Sequence, residues 1–180
     1  MPDLAPFKAT NPIAINHIGV GVDDLDRAIE WYCTVLGSVL LKGPFEVRST
    51  SPYDGPMAVD VLGPSFRHMR QAHLLSVNGI GIELFQLLDP PHVRRSPSIQ
   101  FWTNGFFHIC ITDSDVEGIV ARITQTGGQQ LSKIWRIHPD DPLYLMCYCE
   151  DPFGNVIEIY SHTYEQMYGV RAPSPAPPSV

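Results

Sequence analysis

"HIGVGVDDLDRAIEWYCTVLG", residues 17–37, and "HICITDSDVEGIVARITQTGG", residues 108–128, are two versions of one pattern. Each opens on His and alternates apolar with small or polar residues. Each then passes an acidic or hydroxyl-bearing turn, carries a helical stripe, and reaches Gly at the same remove, Gly37 and Gly128. A period of two followed by a period near 3.6 is a strand running into a helix. The stripes are Leu25, Ala28, Ile29, Tyr32 and Leu36 in the first copy, and Val116, Ile119, Val120 and Ile123 in the second. Asp23 and Asp24 precede the first helix, and "SDVE", Ser114 to Glu117, has the form of a capping box opening the second. Strand-like runs follow each helix: "SVLLKGPFEV", "RQAHLLSVN" and "GIGIELFQLL", then "QQLSKIWRI", "LYLMCYCE" and "NVIEIYSH". The pattern predicts βαβββ twice, an α+β fold in which two tandem modules form a curled mixed sheet around a cavity.

The modules are expected at about residues 13–90 and 104–164, within a single domain at 13–168. The Pro- and Ser-rich "RAPSPAPPSV" and the first dozen residues are expected to be flexible ends, 169–180 and 1–12. A net charge of −7 lacks the excess of Lys and Arg that a phosphate backbone demands, which excludes a nucleic-acid surface and leaves small molecules as partners. No apolar run approaches the ~18 residues of a membrane span, and "MPDLAPFKATNP" lacks the basic start and apolar stretch of a secretory signal. A cytoplasmic protein with reduced thiols is expected. Cys147 and Cys149 are spaced C-x-C, which is neither a zinc-ribbon nor a redox-pair spacing, and with Cys33 and Cys110 they read as small core residues.

Strand parity then sorts the polar residues. Ile18, Val20 and Val22 share one face, and His17 lies on the other. The same parity sets His108 against Phe107, Ile109 and Ile111. It sets Glu83 against Ile82 and Leu84, and Glu158 against Ile157 and Ile159. All four groups turn away from the helix-packed side. Two imidazoles and two carboxylates gathered on one concave face need compensation, which a metal ion supplies. His68, His73, His92 and His138 fall outside this pattern. His162 shares the parity of Glu158 and reads as a strand-end surface residue.

With "HIGVGVDDLDRAIEWYCTVLG", "IELFQ", "HICITDSDVE" and "EDPFGNVIEIY" at the starts and ends of the two modules, the chain resembles the vicinal oxygen chelate superfamily. That superfamily includes glyoxalase I, methylmalonyl-CoA epimerase, extradiol dioxygenases, and fosfomycin or bleomycin resistance proteins. The resemblance implies metal ligands on the first and last strands of each module, here His17, Glu83, His108 and Glu158, a ligand pattern most similar to those of glyoxalase I and methylmalonyl-CoA epimerase. It also implies a homodimer.

Four protein ligands on a six-coordinate ion leave two adjacent sites. Those suit chelation of vicinal oxygens on a substrate and leave no place for O2, which a His, His, carboxylate triad would admit. The expected activity is that of a divalent-metal-dependent lyase, isomerase or epimerase passing through an enolate or enediolate, with Zn, Ni, Co, Mn or Fe as the ion. The resemblance to glyoxalase and epimerase sites implies Glu158 as the first choice of base, with Glu83 the second. An extradiol-type ring-cleaving dioxygenase and a metal-free binding protein similar to bleomycin resistance proteins are the alternatives.

His17 to Glu83 spans 66 residues and His108 to Glu158 spans 50, so the first module carries about 16 more, placed in "RSTSPYDGPMAVDVLGPSFRH". This insertion is either a lid offering Tyr53, Met57, Phe66, Arg67 and Arg70 to a substrate, or a surface excursion or dimer contact. Arg94 and Arg95 between the modules are either anchors for a substrate carboxylate or phosphate, or a solvated linker.

Overall fold

The computed structural model describes residues 13–138 and 140–169, so the ends expected to be flexible lie outside the described residues apart from Gly169. The chain divides into two compact units between His92 and Val93. In the first unit β1 (His17–Gly21), α1 (Leu25–Thr34), β2 (Val39–Arg48), α2 (Gly55–Leu62), β3 (His68–Leu75) and β4 (Gly81–Asp89) follow one another. Their strands form one sheet in the order β1-β4-β3-β2, with β1 parallel to β4 and the other pairs antiparallel. The second unit runs β5 (Ile109–Thr112), α3 (Val116–Gln125), β6 (Gln129–Gln130), β7 (Trp135–His138), β8 (Asp141–Glu150), β9 (Val156–Tyr160) and α4 (Tyr164–Tyr168). Its sheet is ordered β5-β9-β8-β6, with β7 also on β8 and β5 parallel to β9. The α+β class and the doubled βαβββ plan are both present, and each module closes a mixed sheet of its own.

Helix burial follows the apolar stripes. All four of Val116, Ile119, Val120 and Ile123 are buried on α3. On α1 the stripe is rotated: Leu25, Ala28, Trp31 and Tyr32 are buried, and Ile29 is half-buried. Burying the indole removes more apolar area from water than burying the isoleucine would. Asp24 caps α1, its carboxylate accepting from the Arg27 amide at 3.1 Å. The cap of α3 is Asp115, which accepts from the Gly118 amide at 2.9 Å, so the capping box expected from Ser114 to Glu117 does not form and the cap lies one residue later. A carboxylate at that position satisfies an orphan amide and also faces the positive end of the helix. A capping box does form at α4, between Thr163 and Gln166.

The run expected as one strand at "QQLSKIWRI" is split into β6 and β7, because the Leu131 and Ser132 amides both turn to the Tyr148 carbonyl, at 2.8 and 3.1 Å. The insertion holds α2, opened by Pro56 and closed at Gly63 with φ +95°. Phe66 behind it is 2% exposed and forms a cluster with Val47, Ala58 and Met69, against which Phe45, Phe85 and Leu87 also pack. Phe85 and Leu87 share the parity of Glu83, so the insertion folds over one end of the face that carries Glu83.

Candidate functional site

In the first unit the candidate ligands stand on β1 and β4, with β3 beside them. Gly19 is in register with Glu83 and His73 lies opposite it on the other side. The Glu83 carboxylate is therefore bracketed: Oε2 is 3.7 Å from His17 Nε2 and Oε1 is 3.2 Å from His73 Nδ1. His17 Nδ1 lies 2.8 Å from Asn16 Oδ1, and with Nδ1–H donating there the Nε2 lone pair is left facing the carboxylate. Gly19 matters because a Cβ there would stand 3.3 Å from the Phe85 ring, which lies over this stretch of β1.

In the second unit Glu158, on β9, is in register with Cys110 on one side and Tyr148 on the other. His108, one residue before β5, brings Nε2 to 3.2 Å from Glu158 Oε2. The carboxylate side chain is 7% exposed, against 24% for Glu83. Burial, and then the hydrogen bond to Glu158, raise the Tyr148 phenol above its ordinary pKa, so it is a protonated donor near neutral pH. Cys110 counts as exposed as a residue, but its thiol is shielded beside Glu158. That desolvation and then the carboxylate's charge push it up to about 12. Cys110 thus departs from the expectation of a core cysteine, which Cys147 and Cys149 meet.

Within either unit, no group of three or more His, Cys, Asp or Glu side chains among the described residues has the geometry to hold a metal. The pairs do fit as two ligands each. Two donors about 2.0–2.2 Å from one cation stand roughly 2.8–3.1 Å apart at an octahedral right angle and roughly 3.3–3.6 Å apart in a tetrahedron; the 3.2 Å of His108 and Glu158 falls within that span, and the 3.7 Å of His17 and Glu83 lies just beyond it. His108 Nδ1 is buried with no hydrogen-bond partner among the described residues, although the ring is held edge-on to Phe107 and Tyr148. Neutral imidazole and carboxylate donors without thiolate suit a borderline or hard divalent ion.

The remaining candidates are placed as follows. Tyr53 is 95% exposed and Met57 is exposed, while Phe66 is in the core and has no surface to offer a ligand. The Arg67 guanidinium donates to the Pro64 and Phe66 carbonyls, each at 2.7 Å, and so ties the end of the insertion. Arg70 has the parity of the buried Ala72 and Leu74, and it grips Asp26 on α1 with two nitrogens at 2.9 Å. It thus serves the helix-packed side. Arg94 pairs with Glu150 at 2.6 Å, and Arg95 lines a cavity of about 410 Å³ with Ser96, Ser98, Gln129 and Glu150. His162 stacks on Tyr144 with ring centroids 3.9 Å apart.

Three residues that touch the four candidate ligands were not singled out from the sequence: Asn16, His73 and Tyr148. The trace of two of them was there, since His73 precedes Glu83 by the same interval as Tyr148 precedes Glu158.

A glyoxalase family protein from Bacillus cereus shares this fold at a TM-score of 0.67 and 22% identity, covering 85% of this chain and 97% of that one. Glyoxalase I from Zea mays aligns at a TM-score of 0.55 and 20% identity, over 83% of this chain and 44% of the maize chain. A genomically encoded fosfomycin resistance protein from Listeria monocytogenes aligns at 0.53 and 14% identity, over 85% of this chain and 94% of its own. At these identities the likeness is one of fold. No curated protein matches the sequence. No helix among the described residues is long and apolar enough to cross a membrane. The family model of the Glyoxalase/Bleomycin resistance protein/Dioxygenase superfamily matches residues 14–159, and the chain belongs to that superfamily.

Proposed function

We propose that the protein is a divalent-metal-dependent lyase, isomerase or epimerase acting on a small substrate with vicinal oxygens, with His17, Glu83, His108 and Glu158 as the metal's protein ligands. The observation that carries this reading is the repeat of one imidazole–carboxylate contact in both modules, His17 with Glu83 and His108 with Glu158. A single such contact is an ordinary surface feature. Its recurrence at repeat-related positions, on residues that neither core needs, supports a shared chemical purpose. A divalent cation held by such a set supplies Lewis-acid polarisation of a carbonyl oxygen.

The residues supply the proton chemistry. Glu158 takes the proton from the carbon beside the carbonyl and returns it to the same or the neighbouring carbon, which sets the class of product. Its low exposure keeps water from competing for the carboxylate, and the Tyr148 phenol steadies it with a neutral donor. Glu83, bracketed by two imidazoles, has less freedom to move and acts as a fixed ligand. The apolar wall of Phe45, Phe85 and Leu87 beside Glu83 gives the hydrophobic part of a substrate a surface to lie on.

The test is metal content by inductively coupled plasma mass spectrometry, on untagged wild type and on Glu83→Ala. About one divalent ion per chain, lost or sharply weakened in the variant, is expected. Metal kept in full by Glu83→Ala would instead support a three-ligand centre and oxygen chemistry. A metal-free wild type would make the chain a binding protein. Glu158→Gln, with its metal in place, is expected to lose turnover by roughly 100- to 10,000-fold, and undiminished turnover would remove Glu158 from the role of base.

A further inference from the structure

We infer that His73 is a positioning residue for Glu83: its Nδ1–H holds one carboxylate oxygen and leaves the other to the metal. The inference rests on the proposed ligand set and deepens it, by naming a residue outside that set on which the set depends.

His73 and Glu83 are directly paired on antiparallel β3 and β4, so their side chains rise from the same face. His73 Nδ1 stands 3.2 Å from Oε1, and Oε2 is turned toward His17 Nε2 at 3.7 Å. A carboxylate free to rotate offers either oxygen, or both, to a cation. One whose Oε1 accepts a hydrogen bond from a fixed imidazole offers Oε2 alone, on the side where His17 presents its lone pair.

The imidazole is itself held. Its ring is stacked on Phe45, with centroids 5.5 Å apart and planes 17° from parallel. Phe45 in turn packs against the cluster of Val47, Ala58, Phe66 and Met69 built by the insertion. A line of packed contacts therefore runs from α2 through Phe45 and His73 to Glu83. This gives the insertion a part in the site that needs no lid movement: it braces a ligand from behind. Glu158 is held differently, by the phenol of its cross-strand partner Tyr148, with no insertion packed behind it.

The experiment uses the full chain stripped of metal and titrated with cobalt(II) against a chromophoric chelator. It reads apparent affinity and the visible spectrum of the bound ion for wild type, His73→Leu, His73→Asn and His73→Gln. The asparagine amide stands where Nδ1 stood, and the glutamine amide reaches beyond it. His73→Leu and His73→Gln are expected to weaken binding by roughly 10- to 100-fold and to alter the spectrum, with His73→Asn restoring both toward wild type. Thermal unfolding of the metal-free forms checks that each variant is folded, and if His73→Leu is not, His73→Gln read against His73→Asn decides. The inference is overturned if the leucine and glutamine variants keep wild-type affinity and spectrum, or if asparagine does no better than glutamine. A wild-type chain that takes up no cobalt overturns the proposed function along with it. Wild-type uptake with indifferent variants overturns the role of His73 alone.

Discussion

Glu83 leaves 24% of its side chain exposed and has an imidazole beside each oxygen, whereas Glu158 leaves 7% exposed and has one imidazole, with a phenol and a thiol around it. The two residues hold equivalent places in the two βαβββ repeats, each on the last strand, parallel to the first. Their backbones agree and their neighbours do not. The difference is made by the cross-strand partner, His73 in one unit and Tyr148 in the other, and by the insertion that packs behind Phe45 in the first unit only. A bracketed, partly hydrated carboxylate is suited to staying put. On the proposed function the buried one, shielded from water, is the carboxylate that exchanges a proton. The two repeats thus share a scaffold, and a few strand residues give their glutamates different surroundings.

If the insertion is a buttress peculiar to the first unit, removing its centre must be felt as a core loss. Phe66→Ala is expected to cost about 3–5 kcal/mol in urea unfolding, comparable to a truncation such as Ile123→Ala under α3, at about 2–5 kcal/mol. A cost below about 1 kcal/mol would reduce the insertion to a surface excursion and erase half of the contrast.

The contrast in partners is sharpened by Tyr148→Phe. The raised phenol stays protonated through neutral pH and donates to a buried acceptor. Its loss is expected to destabilise the chain by about 1–3 kcal/mol, the range for an acceptor left short of a partner away from water. An unchanged urea midpoint would mean that Glu158 finds its compensation elsewhere. The helix caps, by contrast, must behave alike in both units. Asp24→Ala and Asp115→Ala are each expected to cost about 1 kcal/mol, and Ser114→Ala close to nothing, since Asp115 and not Ser114 receives the Gly118 amide.

The sequence made the repeat, the strands and the two long helices legible because their periods are strong, and strand parity alone put His17, Glu83, His108 and Glu158 on the faces they occupy. What it hid has physical reasons. "GPMAVDVL" is eight residues long and opens with Gly and Pro, so its turn chemistry outweighs a helical period too short to register. Phe66 stands between the polar Ser65 and Arg67, and its burial depends on Ala58 of α2, an element the pattern does not announce. His73 and Tyr148 become neighbours of the two glutamates only through register, which the hydrophobic pattern of "RQAHLLSVN" or "LYLMCYCE" taken alone does not fix. Arg70 was recoverable, because its parity is opposite to that of His73.

The smallest expected effect separates the two units' surface ion pairs. Arg70 meets both oxygens of Asp26 at 2.9 Å, while Arg122 touches Asp113 through one nitrogen at 2.8 Å. The two-pronged contact is the better held, and the Arg70 hydrogen bond lowers the Asp26 pKa below its ordinary 3.8. The Asp26 carboxylate is largely exposed, so the pair is worth no more than about 1 kcal/mol, and less in salt. A carboxylate whose pKa is depressed on folding contributes stability that is present above its unfolded value and is lost as pH falls through its folded one. Arg70→Gln should therefore cost a few tenths of a kcal/mol or somewhat more near pH 7, and the gap to wild type should close below about pH 3.8, where the unfolded carboxyl and then the folded one take up a proton. Arg122→Gln should show a smaller gap at neutral pH. Urea midpoints measured from pH 7 down to pH 2.5 decide the matter. A gap for Arg70→Gln that persists undiminished in acid would mean that the arginine acts through its packing against β3 and α1, and that the better ion pair is not what distinguishes the helix of the first unit.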